Sequence, residues 1–328
     1  MERLAVISNP RSQRNRKGAL EALKRVAAHE GIRHEALWDF EDLGPMIVNM
    51  IRRGVDVIAV NGGDGTVQAV LTELARRDLN GHAPKLAVLA GGMTNVIAKD
   101  VGLAGAPAKG LKRLLTGDAT HEVERPLIGL VLKPHEPAVY GMFFGAAGFY
   151  QAVKLANERV RTHGVADNLA SASTLVLSLC RLLFGRVNAD DPLYRGEPMS
   201  IAFDDEHCKE KPYLLLIATT LHRLILGLSP FWDSMHISPA TRTGRTIRYT
   251  SVDFPPKRLA RAIVPVLRGS PKAWMGEEGY RSGSVDRMIL DIKSPVVLDG
   301  EVFLPEPGLP IQLTGDRHQT FLTGASGA

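Results

Sequence analysis

The sequence predicts an α/β half built on a parallel sheet, followed by a mostly antiparallel β half. Three observations carry this. The first third alternates short β-branched runs with amphipathic helical stretches, the texture changes after about Glu124, and 328 residues exceed what one hydrophobic core usually serves. In the first part, Leu4 to Ser8 reads as a strand, Gly18 to His29 as a helix, and His34 to Trp38 as a strand. Glu41 to Arg53 is helical in pattern, Val55 to Val60 is a buried strand, and Leu86 to Ala90 is another. Between the last two, Val67, Val70, Leu71 and Leu74 share one face of a helix over Val67 to Arg77. The second part has short apolar runs separated by Gly and Pro: Leu127 to Leu132, Tyr140 to Phe144, Tyr213 to Thr219, Thr246 to Val252, Met288 to Ile292, Val296 to Leu298 and Ile311 to Leu313. A long helix with Leu169, Ser173, Val176, Leu177, Cys180 and Leu183 on one side interrupts them. The expected domains are residues 1–124, completed by 314–328, and residues 125–313.

In a parallel sheet, ligands sit at the carboxyl ends of the strands. Three loops converge there: Asn9-Pro10-Arg11-Ser12, Asn61-Gly62-Gly63-Asp64-Gly65-Thr66, and Gly91-Gly92-Met93-Thr94-Asn95. Glycines let the backbone approach a ligand closely, and the first turn of the following helix favours anionic oxygens. A nucleotide phosphate fits such a turn. Asp64 adds a carboxylate, which suits a divalent cation or a reacting hydroxyl beside the phosphate. An ordinary tight turn is the alternative. Asn95 equally suits the N-cap of the next helix, and Asp299-Gly300 equally suits a hairpin turn.

Composition narrows the function classes. Hydrophobic residues at 45% and charged residues at 23% are globular values, and Cys180 and Cys208 alone cannot make a disulfide framework. With no secretory leader legible, the expected location is the cytoplasm, at most peripheral to a membrane. Leu169 to Phe184 is too short to span a bilayer and carries Arg181. The basic cluster of Arg11, Arg14, Arg16 and Lys17 lacks interleaved aromatics, which argues against a nucleic-acid partner. His222, His236 and Glu278 are too scattered for a metal site. Phe231, Trp232 and Leu221 to Leu228 suit either a β core or a lipid-tail groove.

Gly62-Gly63-Asp64-Gly65-Thr66, followed one βα unit later by Gly91-Gly92-Met93-Thr94-Asn95, resembles the diacylglycerol kinase catalytic-domain family of bacterial lipid kinases and sphingosine and ceramide kinases. Asn9-Pro10-Arg11-Ser12, Phe143-Phe144-Gly145-Ala146-Ala147-Gly148-Phe149 and Leu298-Asp299-Gly300-Glu301 agree with it in order. The resemblance implies a Rossmann-like αβ domain, a β-sandwich domain, and an active site in the cleft between them. It implies ATP held by Asn9, Ser12, Gly62, Gly63, Gly65, Thr66, Gly92, Thr94 and Asn95, with Mg²⁺ on Asp64 and Glu301. Asp64, Asp299 and Glu301 would be the catalytic acids, one of them the base toward a hydroxyl of a diacylglycerol- or sphingosine-like lipid. Phosphoryl transfer needs positioning, charge neutralisation and a proton acceptor, and carboxylates supply the last two.

Four positions depart from the family pattern. Ala90 stands for a proline, Met93 for a threonine, Tyr150 for an acid, and Thr243 for the acid of a structural magnesium site. These departures motivate a nucleotide- or lipid-binding protein with weakened turnover as one rival. NAD kinase, which shares the Gly-Gly-Asp-Gly turn, is the other; it ranks lower because its later Asn-Glu pair is missing. Acyl or sphingoid specificity and oligomeric state, a homodimer included, are not encoded in a motif.

Overall fold

The structure, a computed structural model, describes residues 3–77, 83–92, 94–103, 105–117, 120–163, 195–204, 206–224, 227–232 and 245–324. The helix expected around Leu169 to Leu183, Met93 and Thr243 lie outside the described residues. The chain forms two compact units. Unit 1 is Met1–Arg125, Leu221–Ile225 and Arg317–Ala328, and unit 2 is Pro126–Thr220 and Leu226–Asp316.

Unit 1 runs β1 (Leu4–Ser8), α1 (Leu20–His29), β2 (Arg33–Ala36), α2 (Leu43–Arg52), β3 (Val57–Gly62), α3 (Asp64–Ala75), β4 (Lys85–Ala90), α4 (Val96–Val101), β5 (Gly102–Leu103) and α5 (Pro107–Thr116). The strands pair in parallel in the order β2-β1-β3-β4. On the far side of β4, β5 pairs with Val88 and Leu89, and Phe321 pairs with Leu86, both also parallel. Every residue of β3 is buried, as expected where helices cover both faces of a sheet. On one face Val6, Ala59, Ala87 and Leu89 pack with Leu23 and Ala27 of α1, Leu111 of α5 and Leu322.

Several boundaries move from those the apolar pattern predicts. The helix after the glycine turn begins at Asp64, not Val67, because its first turn carries polar side chains that bond elsewhere in unit 1. The second strand stops at Ala36, and Trp38 is 60% exposed. Helix α5 has no counterpart among the predicted elements, although Pro107 in its first turn and Gly117 in the left-handed region after it are helix start and stop signals.

The return of residues 221–225 to unit 1 has a specific anchor. Asp100, at the end of α4, accepts hydrogen bonds from the backbone N–H of His222 and of Arg223, at 3.1 Å each. It also pairs with Arg125 at 3.2 Å, with the Asp100 side chain only 1% exposed. A buried carboxylate needs such partners to offset its lost hydration.

The chain passes into unit 2 within β6 (Thr120–Val131) and continues through β7 (Val139–Gly141), β8 (Phe143–Ala147), α6 (Gly148–His163), β9 (Glu197–Phe203) and β10 (Glu206–Thr219). Then come β11 (Ile247–Asp253), α7 (Leu259–Leu267), β12 (Tyr280–Val285), β13 (Arg287–Ile292), β14 (Val296–Leu298), β15 (Glu301–Phe303) and β16 (Ile311–Gly324). Antiparallel pairing gives the order β15-β14-β8-β10-β9-β13-β16, with β11 and β12 continuing from β10. Phe144, Ile201, Tyr213, Leu216, Met288, Leu290, Leu298 and Leu313 belong to its core. The predicted run Tyr140 to Phe144 is two strands, broken at Met142. Phe231 is buried and carries the Arg248 guanidinium over its ring, so it belongs to the packed body of unit 2. Among the described residues no helix is long and apolar enough to cross a membrane.

Candidate active site

In the order β2-β1-β3-β4, the chain leaves β1 for one side of the sheet and returns to the other side at β3. The carboxyl ends of β1 and β3 are therefore the topological switch point, where open α/β sheets bind ligands. Ser8 and Asn61 are register partners there, and the loops that follow them are Asn9 to Ser12 and the glycine turn. The loop after β4 is tied to both. Arg14 donates its backbone N–H to Gly91 O at 3.1 Å and its guanidinium to Ala90 O at 3.1 Å.

The two glycine loops touch backbone to backbone. A Cβ on Gly92 would overlap Gly63 Cα, and one on Gly62 would lie 2.5 Å from Thr66 Cβ. Glycine is required at both positions for contact inside the protein, before any ligand is considered. Asn9 is buried, and its Oδ1 accepts from Arg11 N–H while its Nδ2 donates to Thr66 Oγ1, both at 2.9 Å. Asn95 is buried with φ of 50°, and its amide closes on Gly92, accepting from Gly92 N–H at 2.9 Å and donating to Gly92 O at 2.8 Å. It stands at the N-cap position of α4, yet its side chain does not cap that helix.

Asp64 does. Its Oδ2 accepts from Thr94 Oγ1 and from Val96 N–H, and its Oδ1 from Ile97 N–H, each at 3.0 Å. A carboxylate at the start of α3 thus caps α4, so the bare acid that the sequence suggests is a buried, bonded group. Burial pushes its pKa up, while the Val96 and Ile97 N–H groups, the Thr94 hydroxyl and Lys99 pull the other way.

Below these loops lies a polar layer that sequence reasoning missed. Asn15 donates its amide to Asn9 O at 2.7 Å and to Asn61 O at 3.3 Å, and Asn61 donates to Ser8 Oγ at 3.1 Å. Ser8 Oγ also meets His34 Nε2 at 2.9 Å. Burial, then the charge of Lys24, lowers the His34 pKa, so the ring is neutral at pH 7. Asn15 Oδ1 and Asn61 Oδ1 are buried and accept no hydrogen bond from the described residues. Both are acceptors at the switch point, so they fit a ligand that offers N–H or O–H donors there. The Ser12 hydroxyl is half-exposed and uncommitted, and the first turn of α3, with Gly65 in it, presents N–H groups without intrahelical partners.

The acids of unit 2 separate into two kinds. Asp299 and Gly300 form the two-residue turn between β14 and β15, with φ values of 50° and 91°. The buried Asp299 carboxylate accepts from the backbone N–H of Met142 and Phe143, both at 2.9 Å, fixing the hairpin to the β7–β8 corner. Glu301 is exposed at the start of β15, and its carboxylate makes no hydrogen bond or ion pair with the described residues. Among the described residues no group of three His, Cys, Asp or Glu side chains is placed to hold a metal ion.

The fold defines an α/β unit whose loops meet at the topological switch point, and an antiparallel β unit. Residues 3–123 match the model of the diacylglycerol kinase catalytic domain family, the family that the motifs of unit 1 resemble. No curated protein matches the chain. Among solved structures, a Bacillus anthracis str. Sterne protein described provisionally as a diacylglycerol kinase shares 18% identity with a TM-score of 0.67, over 100% of this chain and 98% of its own. A diacylglycerol kinase structure from the same organism gives 15% identity and a TM-score of 0.63, over 100% and 98%. These likenesses extend the shared fold to both units.

Proposed function

We propose that the protein is an ATP-dependent kinase that phosphorylates a hydroxyl of a diacylglycerol- or sphingosine-like lipid. The observation that carries this is the meeting of three Asn- and Gly-rich loops at the switch point of a diacylglycerol kinase catalytic domain. The residues present fit a nucleotide. Gly63, Asp64 and Gly65 supply N–H groups for phosphate oxygens, Ser12 supplies a hydroxyl without a partner among the described residues, and Asn15 Oδ1 and Asn61 Oδ1 supply acceptors for sugar or base donors. Asn9, Thr66, Asn95 and Gly92 act indirectly, by holding the loops in shape. Thr94 acts through Asp64.

Mg²⁺ on bound nucleotide would neutralise charge on the transferring phosphoryl group. The described residues form no closed cage for it: Asp64 spends Oδ2 on two donors and Oδ1 on a third. Asp64 is therefore a positioning residue that sets α4 and the Thr94 loop. The resemblance of Leu298-Asp299-Gly300-Glu301 to the family motif assigns the proton acceptor's role to Glu301, which is exposed and has no partner among the described residues. The substrate O–H gives its proton to the Glu301 carboxylate as the oxygen bonds to the γ-phosphorus, and the bond from that phosphorus to the β,γ-bridging oxygen breaks to release ADP.

Incubation with labelled ATP and a panel of diacylglycerols, sphingoid bases and NAD tests the reading. Label on a lipid supports it. Label on NAD alone would reassign the acceptor, and no transfer by protein that binds ATP would leave a binding protein.

A further inference from the structure

Lipid substrates reside in bilayers, and one surface of unit 2 is composed to meet one. From Phe254 to Gly276 the chain carries Lys257, Arg258, Arg261, Arg268 and Lys272 and no Asp or Glu. All five are exposed. Helix α7 buries Ala262, Ile263 and Val266 and turns its other side outward. On that outer side Arg261, Val264 and Arg268 follow at helical spacing, and Lys257 lies just before the N-cap Arg258. Val264 is 49% exposed, an apolar side chain set among cations.

The neighbouring acids are already occupied or stand apart. Arg258 pairs with Glu278 at 3.2 Å and lies over the Trp274 ring, and Asp253 is taken by Lys211 and Arg281. Glu277 follows the segment. Lys257, Arg261, Arg268 and Lys272 form no salt bridge with the described residues. Arg261 and Arg268 on the face of an exposed aliphatic residue, with Lys257 and Lys272 flanking the helix, are complementary to an interface of anionic headgroups over acyl chains. A nucleic acid would satisfy the charges and leave Val264 without a counterpart.

We propose that the outer face of α7, with Lys257 and Lys272 flanking the helix in sequence, docks the protein on anionic membrane surfaces. The inference stands apart from phosphoryl transfer, because vesicle binding is measured without ATP and without an acceptor lipid.

The test is flotation of the full chain with phosphatidylcholine vesicles with and without phosphatidylserine, at low and high salt. Wild type is expected to float with phosphatidylserine vesicles at low salt and to be released by salt. Each basic residue near an anionic surface is worth about 1 kcal/mol, or roughly fivefold in affinity, so Arg261→Gln with Arg268→Gln should weaken binding about 25-fold. Adding Lys257→Gln and Lys272→Gln should bring the loss to roughly 10²–10³-fold, and Val264→Ser alone should weaken binding at low salt. These side chains are exposed, so thermal unfolding should not change, and Arg261→Gln alone serves if the fourfold variant does not fold. The proposal is overturned if the charge variants float as wild type does. It is also overturned if wild type ignores phosphatidylserine, or if the basic face binds single-stranded RNA and not vesicles.

Discussion

Replacing Asp64 tests what the glycine turn is for. Asp64→Ala removes three hydrogen bonds to a buried carboxylate, two of them from the first turn of α4. Hydrogen bonds to charged groups are worth about 1.5–3 kcal/mol each, which bounds the gross loss at roughly 4.5–9 kcal/mol. The desolvation that raises this carboxyl's pKa offsets part of that, so the expected net loss is about 3–5 kcal/mol. Helix α4 has six residues, Val96–Val101, and little stability of its own to absorb the loss. At roughly 2–4 °C per kcal/mol, the unfolding midpoint should fall by about 10 °C. Asp64→Asn keeps one acceptor and turns an NH₂ toward the other donor, so about half that loss is expected. The assay is thermal unfolding by circular dichroism, beside ATP binding. The sign of the pH dependence follows from the raised pKa. The stability tied to this group is present below the unfolded value of 3.8 and is lost as pH rises through the higher folded value, so the gap between wild type and Asp64→Asn should widen as pH is lowered from neutral. If Asp64→Asn unfolds with wild type at every pH, Asp64 does not hold α4, and the positioning role fails.

Gly92→Ala should disrupt unit 1 by at least 1–3 kcal/mol, because the new Cβ meets the Gly63 backbone, which has no side chain to move aside; an unchanged melting curve would contradict the loop contact. Asp299→Ala should cost roughly 2–3 kcal/mol by leaving Met142 and Phe143 N–H groups without their acceptor, whereas Glu301→Gln should leave stability within about 0.5 kcal/mol, and denaturant titration of both separates them. His34 has a lowered pKa, so the stability tied to its neutral ring is present above 6.5 and lost as pH falls through the folded value. His34→Gln should flatten the decline in melting temperature between about pH 7 and 5, and parallel wild-type and variant curves would refute the assignment.

The strands of unit 1 were legible because a parallel sheet buries both faces and leaves continuous apolar runs such as Val57 to Val60. The glycine loops were legible for a similar reason: Gly62 is held against the Thr66 side chain and Gly92 against the Gly63 backbone, with no room for a Cβ at either. The partners of the polar groups were not legible. Asp64 bonds to residues 30 to 33 positions away, and Asp100 bonds across 122 positions to His222, so no local pattern announces either role. Helix α7 escaped because Pro265 interrupts its apolar run, and its basic face escaped because five cations spread over two turns and their flanks form no run in sequence. The densest basic cluster, by contrast, partly serves the fold: Arg14 holds the loop after β4. Glu301 was legible only as part of a motif, and the structure distinguishes it from Asp299, whose carboxylate is spent on backbone.

The most direct test of the account is transfer of label from γ-labelled ATP to diacylglycerol or a sphingoid base by wild type and by Glu301→Gln. Wild type should label the lipid, and Glu301→Gln should fold and bind ATP as wild type does while transferring about 10²- to 10⁴-fold more slowly. Lipid labelled equally fast by Glu301→Gln would remove the proposed proton acceptor, and no labelled lipid from wild-type protein that binds ATP would contradict the kinase reading itself.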